Sequence, residues 1–240
     1  MINDTSRYPW SALFTPRASS QSNDVDTPYS PRKLLAALIG GDVLFMILHW
    51  VHVNTDLLTS ERWSIARDRG FGEMFQYLKY VGIMLALGQL FRKTRLPVLL
   101  LWIGVYGFLL LDDSMRVHER FGLGMVAWAH IHDFGGLRGR DWGELIYAAL
   151  GGVILTPVLV LAYIRSSPLA RVISANLALL LAALLMFAVG GDAIDRLLSD
   201  TAFDTVAAIA EDGGEMVVLS FTCFYVARTR RHLLPAHGLR

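Results

Sequence analysis

The stretch that decides the fold is residues 98–118, which read VLLLWIGVYGFLLLDDSMRVH. An unbroken apolar run over 98–111 is followed at once by the acidic pair Asp112 and Asp113. A helix of roughly 20 apolar residues crosses the hydrocarbon core of a bilayer. Ionisable groups inside such a helix are costly and mark functional positions by default. The segment therefore predicts a membrane span with a polar site at its end.

Several other stretches of the chain are also long apolar runs. The chain of 240 residues is 54% hydrophobic and only 18% charged, with a mean hydropathy of +0.43, whereas charged residues make up about a quarter of a soluble domain. A further apolar stretch, 121–136, is too short to span and is predicted to be interfacial or re-entrant. The sequence predicts an all-α integral membrane bundle with about six transmembrane helices, at 34–53, 71–91, 98–118, 142–164, 169–192 and 206–227.

Three regions follow from this pattern. Residues 1–31 are predicted to be a polar, flexible cytoplasmic tail, because they lack the basic-then-apolar order of a signal peptide. Residues 32–228 form the six-helix membrane domain, and 229–240 a basic cytoplasmic C-terminal tail. The inner connections 92–95 and 165–171 contain Arg or Lys but no Asp or Glu. The positive-inside rule then places both termini in the cytoplasm, in a plasma (inner) membrane.

Composition also limits the kinds of metal site and the kinds of partner that the chain can have. The single cysteine, Cys223, lies within the last predicted span, so the chain has no second cysteine for an internal disulfide or for a Cys-based zinc site. The basic residues form no patch suited to nucleic acid. The expected partners are the lipid bilayer and other membrane proteins.

Polar side chains gather in the outer third of every predicted span, while the inner halves are almost entirely Leu, Val, Ile, Ala and Phe. On a helix, residues three, four and seven apart share a face. Asp112, Arg116 and Glu119 follow this spacing, as do Glu211 and Glu215. Each helix thus carries one polar stripe, and the stripes are expected to converge.

A convergence of carboxylates in low dielectric takes up protons or recruits cations. Carboxylate and imidazole groups together are the ligands of zinc and of non-haem iron or manganese, and helix bundles build such sites from facing helices. The predicted ligands of a divalent metal are Asp112, His118, Glu119, Glu211 and Glu215. The predicted surrounding groups are Asp42, His49, His52, Glu73, Asp113, Arg116, Asp192, Asp195 and Asp212.

A plainer interpretation stands beside this one. The acids near the span ends can be interfacial residues paired with Arg116 and Arg120, and histidines next to Trp50 are ordinary at a membrane surface. On that interpretation the polar stripes hold headgroups and arginines, and no metal.

Some motifs resemble those of known proteins. The acidic pair followed by His118 and Glu119, and the last-span pattern Glu211, Asp212, Glu215 and Met216, are similar to motifs in a group of uncharacterised bacterial multi-pass membrane proteins over most of residues 34–228. A more distant resemblance is to the alkaline-ceramidase and adipoQ-receptor superfamily, which implies a zinc-dependent hydrolase. That superfamily carries paired histidines in its last span, where this chain has two glutamates, and it has one span more.

Three functions fit the sequence. The first is a metal-centred membrane protein that acts on a lipid or quinone-like substrate at the outer leaflet, with Asp42 or Asp192 handling protons. The second is a proton- or cation-coupled transporter that uses Asp42 and Asp112. The third is a non-catalytic accessory subunit of a larger membrane complex. The sequence leaves open whether the protein is an enzyme.

Overall fold

The computed structural model describes residues 30–198 and 204–234, and side chains within them except at 189–198 and 204. In these ranges the chain is helical, apart from turns, loops and one isolated bridge between Phe134 and Leu137. The all-α prediction is confirmed. Most of the predicted N-terminal tail, 1–31, and half of the predicted C-terminal tail, 229–240, lie outside the described residues.

The described chain contains seven α-helices and one short 3₁₀ helix, Glu61–Trp63. The helices of the predicted spans begin and end within three residues of the predicted bounds, except that the last two end six residues later than predicted. The helices are α1 (Pro31–Asn54), α2 (Phe71–Thr94), α3 (Val98–Met115), α4 (Val117–Ala129), α5 (Gly139–Arg165), α6 (Pro168–Leu198) and α7 (Asp204–Leu233).

Four of these helices are long and apolar enough to cross a membrane. They are α1, α3, α5 and the Pro168–Ala188 part of α6. The remaining two long helices, α2 and α7, are more polar. Gln76, Lys79 and Gln89 lie within α2, and α7 carries acids in its first half. The protein is therefore a membrane protein by these four helices.

The two more polar helices lie at the centre of the bundle. Helix α7 packs against α1, α2 and α6, and α2 also packs against α3. Their contact surfaces form one apolar core, with Leu87 of α2, Tyr106 of α3, Leu177 of α6 and Leu219 of α7 completely or almost completely buried. Because the apolar helices lie around them, α2 and α7 can hold polar groups away from lipid.

The third predicted span breaks earlier than expected. Arg116 has a φ of 55° and ends α3, and α4 starts at the next residue. Asp112, Arg116 and Glu119 therefore do not form the stripe of one continuous helix. After this break, α4, which covers much of the predicted interfacial segment 121–136, packs mainly against α5.

Helix α5 is held mainly by α4 and has only slight contact with α3 and α6. Its apolar side chains are largely exposed, with Val153 and Ile154 at 71% and 70%. A space therefore remains between α5 and the rest of the bundle, and this space contains the candidate site.

Candidate functional site

A large cavity lies between α5 and the helices α2, α3, α6 and α7. Its volume is about 1190 Å³. One end is lined by acidic groups and arginines, and the other by side chains such as Leu101, Leu155 and Leu184. The stripes predicted to converge do meet here in part, since α2, α3, α4, α5 and α7 all contribute polar residues to the lining.

One polar group in this cavity has the composition of a metal site and consists of Asp112, Asp113 and His118. Each offers one ligand atom, and the three atoms lie within 4.8 Å of one another. Asp112 is buried at the end of α3, and His118 sits in the first turn of α4. The left-handed residue Arg116 separates the two helices, and the first turn of α4 then lies against the end of α3, where the backbone N–H of His118 donates to Asp112.

Asp112 is held by three hydrogen-bonding groups. Its Oδ1 accepts hydrogen bonds from the backbone N–H of His118 and from the hydroxyl of Tyr147, both at 3.0 Å. Its Oδ2 lies 3.3 Å from His118 Nδ1. These contacts fix the carboxylate and orient the imidazole, as supporting hydrogen bonds do in known metal sites.

The same contact affects the protonation of His118. Burial lowers the pKa of His118, but the hydrogen bond and negative charge of Asp112 outweigh it, so the pKa lies above its ordinary value. The imidazole therefore keeps its proton to higher pH unless something replaces it.

Glu119, one of the predicted ligands, lies in an arginine network. Its carboxylate pairs with Arg116 and, at 3.0 Å, with Arg140 of α5. Arg116 also pairs with Asp68 at 3.1 Å, and Arg140 with Glu144 at 2.6 Å. The network ties α4 to α5 and to the loop before α2, and it forms the polar rim of the cavity.

The predicted acids of α2 and α7 line the same cavity but lie outside the Asp112 group. Glu73 accepts hydrogen bonds from the backbone N–H of Arg69 and from the Tyr77 hydroxyl at 2.5 Å. Gln76 donates to the backbone carbonyl of Asp212 at 3.5 Å. The predicted acids of α2 and α7 that line the cavity are Glu73, Glu211, Asp212 and Glu215.

Asp42 belongs to a different site. It is completely buried and pairs with Lys79, which also donates to the carbonyl of Met216 at 2.9 Å. The Ser220 hydroxyl donates to its second oxygen at 2.6 Å. Neither Asp42 nor Lys79 lines the cavity. This cluster joins α1, α2 and α7.

The two histidines of α1 differ in their surroundings. His49 is buried at 3% exposure. His52 contacts the loop after α1, with Nδ1 2.6 Å from the carbonyl of Leu58 and Nε2 3.8 Å from Glu61. Asp192 and Asp195 lie where the structure does not describe side chains, so their predicted roles lie outside the described residues.

Sequence reasoning missed Tyr147, the residue that positions Asp112. The signal was present in the spacing, since Arg140, Glu144 and Tyr147 follow each other four and three residues apart on α5 and share a face. A tyrosine among Leu and Ala residues resembles an ordinary interfacial aromatic. For this reason the sequence alone did not single out Tyr147.

Comparison with known proteins gives a family but no activity. No curated protein and no solved structure matches this chain. Residues 36–229 match the model of a family described as a domain of unknown function, DUF8692. The match covers nearly the whole helical bundle, including both the Asp112 group and the Asp42–Lys79 pair. The chain therefore belongs to the DUF8692 family.

Proposed function

We propose that this protein is a bacterial inner-membrane protein with a divalent-metal centre that acts on a lipid or quinone-like substrate at the outer leaflet. The observation that carries the proposal is the Asp112, Asp113 and His118 group, whose ligand atoms lie within 4.8 Å of one another at the polar end of a large cavity.

The donor set fits a divalent metal. Two carboxylates and one imidazole are the ligand types of zinc, non-haem iron and manganese sites, and three protein ligands leave positions open for a substrate. Glu211 and Glu215, which line the cavity from α7, are the candidates for a further ligand. A bound metal supplies Lewis-acid chemistry, or redox chemistry if it is iron or manganese.

The residues around the group have definable tasks. Tyr147 holds Asp112 in place through its hydroxyl. Arg116 and Arg140 neutralise Glu119 at the rim, which limits the repulsion between neighbouring carboxylates. The acids of α2 and α7 supply proton-accepting oxygens on the facing wall.

The proposal includes six spans, α1, α2, α3, α5, α6 and α7, with both termini cytoplasmic. Its support is the packing of α2 and α7 along the apolar helices, since a helix at the centre of a bundle tolerates polar residues. Both exceed the roughly 20 residues that a span needs. The basic inner connections support the orientation.

A coupled carrier is the second candidate, and one observation favours it. The Asp42–Lys79 pair is buried within the helical bundle, where an ionisable pair is expensive and commonly serves proton or ion transfer. This pair does not line the cavity, so it is separate from the metal group. The two candidate functions therefore depend on different residues.

Metal analysis of the purified protein tests the proposal. We expect one equivalent of zinc, iron or manganese per chain, lost in His118→Ala and reduced in Asp112→Asn, because removal of a ligand leaves a weaker site. Glu61→Gln is the matched control, since Glu61 is an exposed acid outside the cavity lining. Metal content at background in the wild type, or equal in all four proteins, would refute the metal centre.

A further inference from the structure

The cavity has a second part that the metal group does not use. Its apolar end lies along α3, α5 and α6 and is lined by residues such as Leu100, Phe108, Ile154 and Leu185. From Leu100 to Asp112 the rise of α3 is about 18 Å, at 1.5 Å per residue. The apolar end is therefore long enough for an extended hydrocarbon chain and leads directly to the Asp112 group.

This apolar part opens sideways. Leu100, Phe108, Ile154 and Leu185 line it and are nevertheless 41–70% exposed. At three lining glycines, Gly104, Gly151 and Gly152, an added Cβ would meet no atom within 4 Å. In a bilayer, the medium beside these positions is lipid. A membrane molecule can thus enter between α5 and the rest of the bundle without leaving the bilayer.

The polar end selects the charge of a head group. Among the described residues that line the cavity, ten carry carboxyl groups and three are arginines. Two of those arginines, Arg116 and Arg140, are already paired with carboxylates of the same rim. Even a divalent cation would leave the surroundings acidic. An anionic head would be repelled there, and a cationic one attracted.

We infer that the cavity binds a membrane amphiphile with a long hydrocarbon chain and an amine head group, the chain lying along α3, α5 and α6 and the amine among the carboxylates near Asp112. The inference deepens the proposed function and rests on it for any reaction, because it names the substrate class that the metal centre would meet. Binding itself depends only on the cavity.

Photolabelling of the full chain in lipid nanodiscs tests this assignment. The probes are hexadecylamine analogues with a diazirine either at the far end of the chain or beside the amine, and the matching hexadecyl phosphates. The far-end amine probe should label peptides around Leu100 and Val158, and the near-head probe peptides around Asp112 and Tyr147. Labelling by the phosphates that equals or exceeds labelling by the amines would overturn the head-group assignment.

Two variants test the location of the chain. Gly104→Trp should reduce amine labelling at least tenfold, because the indole fills open space in the apolar part of the cavity. Gly82→Trp on α2 is the matched control, since Gly82 also has nothing within 4 Å but does not line the cavity. Equal labelling of both variants, or label displaced by a short-chain quinone but not by unlabelled amine, would refute the inference.

The outcomes separate this inference from the proposed function. Chelator-treated protein that still labels at both depths, with no metal in the untreated sample, would support amine binding and refute the metal centre. Protein that carries stoichiometric metal but is not labelled by the amine probes would refute the inference and leave the metal centre standing.

Discussion

Lys79 of α2 donates a hydrogen bond to the carboxylate of Asp42 of α1, and the two side chains are 1% and 0% exposed. Ser220 satisfies the other carboxylate oxygen, and the Met216 carbonyl accepts from the ammonium group. The pair thus joins the first, second and last long helices around two compensating charges. Such a pair is stable only as a unit, because each charge is costly without the other.

A double-mutant cycle tests this pair. Asp42→Leu and Lys79→Met should each lower the free energy of unfolding by about 3–5 kcal/mol, since each leaves an uncompensated buried charge. The double variant should recover most of that loss. Chemical unfolding in mild detergent, followed by tryptophan fluorescence, measures all four proteins. If the two single losses simply add in the double variant, the pair is not coupled.

Much of the fold followed from the sequence, because long apolar runs in a bilayer permit few structures other than helices. The boundaries of α1 and α2 were predicted within three residues. The turn at Arg116 was not predicted, because nothing in an apolar sequence pattern indicates that an arginine adopts a left-handed backbone conformation. That one turn decides the site, since it places His118 against Asp112.

The same limit applies to the site residues, since the sequence predicts features within one helix better than contacts between helices. Spacing grouped Glu211 with Glu215, which both line the cavity. It wrongly placed Asp112 and Glu119 on one helix face, because α3 ends at Met115, and it could not show which faces meet. Glu119 was expected beside His118 as a ligand and instead lies between Arg116 and Arg140. The arginine of α5 that reaches it was outside the predicted stripes, because partners on other helices depend on tertiary packing.

Reporter fusions test the six-span topology. Fusions after Thr94 and Ser167 should read cytoplasmic, because these connections are basic and free of acids. Fusions after Arg62 and Gly136 should read external. Each site is fused in turn to alkaline phosphatase, which is active only outside the cytoplasm, and to green fluorescent protein, which fluoresces only inside it. A cytoplasmic signal at Arg62 would reverse the orientation and move the cavity rim to the inner leaflet.

The pH dependence of zinc binding follows from the raised pKa of His118. A metal binds the neutral imidazole, so proton and zinc compete for the ring. Because Asp112 raises the pKa of His118, this competition extends to higher pH, and zinc affinity should increase as pH rises through that pKa. In the metal-free protein the His118–Asp112 ion pair contributes stability at low pH, and this contribution is lost over the same rise.

Zinc titrations with a competing chelator, from pH 6 to pH 8 as an approximate range around an ordinary histidine pKa, measure this effect. His118→Asn should bind zinc weakly at every pH in this range, because the site has lost its imidazole ligand. His52→Asn serves as the control, since His52 contacts Leu58 and Glu61 and does not line the cavity. Zinc affinity that is constant over this range in the wild type would contradict a role for His118 as a ligand.

The contact between α4 and α5 gives the last prediction. A Cβ added at Gly122 would lie 2.7 Å from the carbonyl oxygen of Arg140 and 2.9 Å from Cγ of Glu144. Backbone cannot move away as a flexible side chain can, so Gly122→Ala should lower the free energy of unfolding by about 1–3 kcal/mol. Gly124→Ala, two residues along the same helix, meets nothing within 4 Å and should stabilise by about 0.5–1 kcal/mol. Gly122→Ala should also weaken metal binding, because it pushes apart the helices that carry His118 and Tyr147. Thermal unfolding and metal content of the two variants measure both effects, and equal behaviour of the pair would contradict the close packing of these helices.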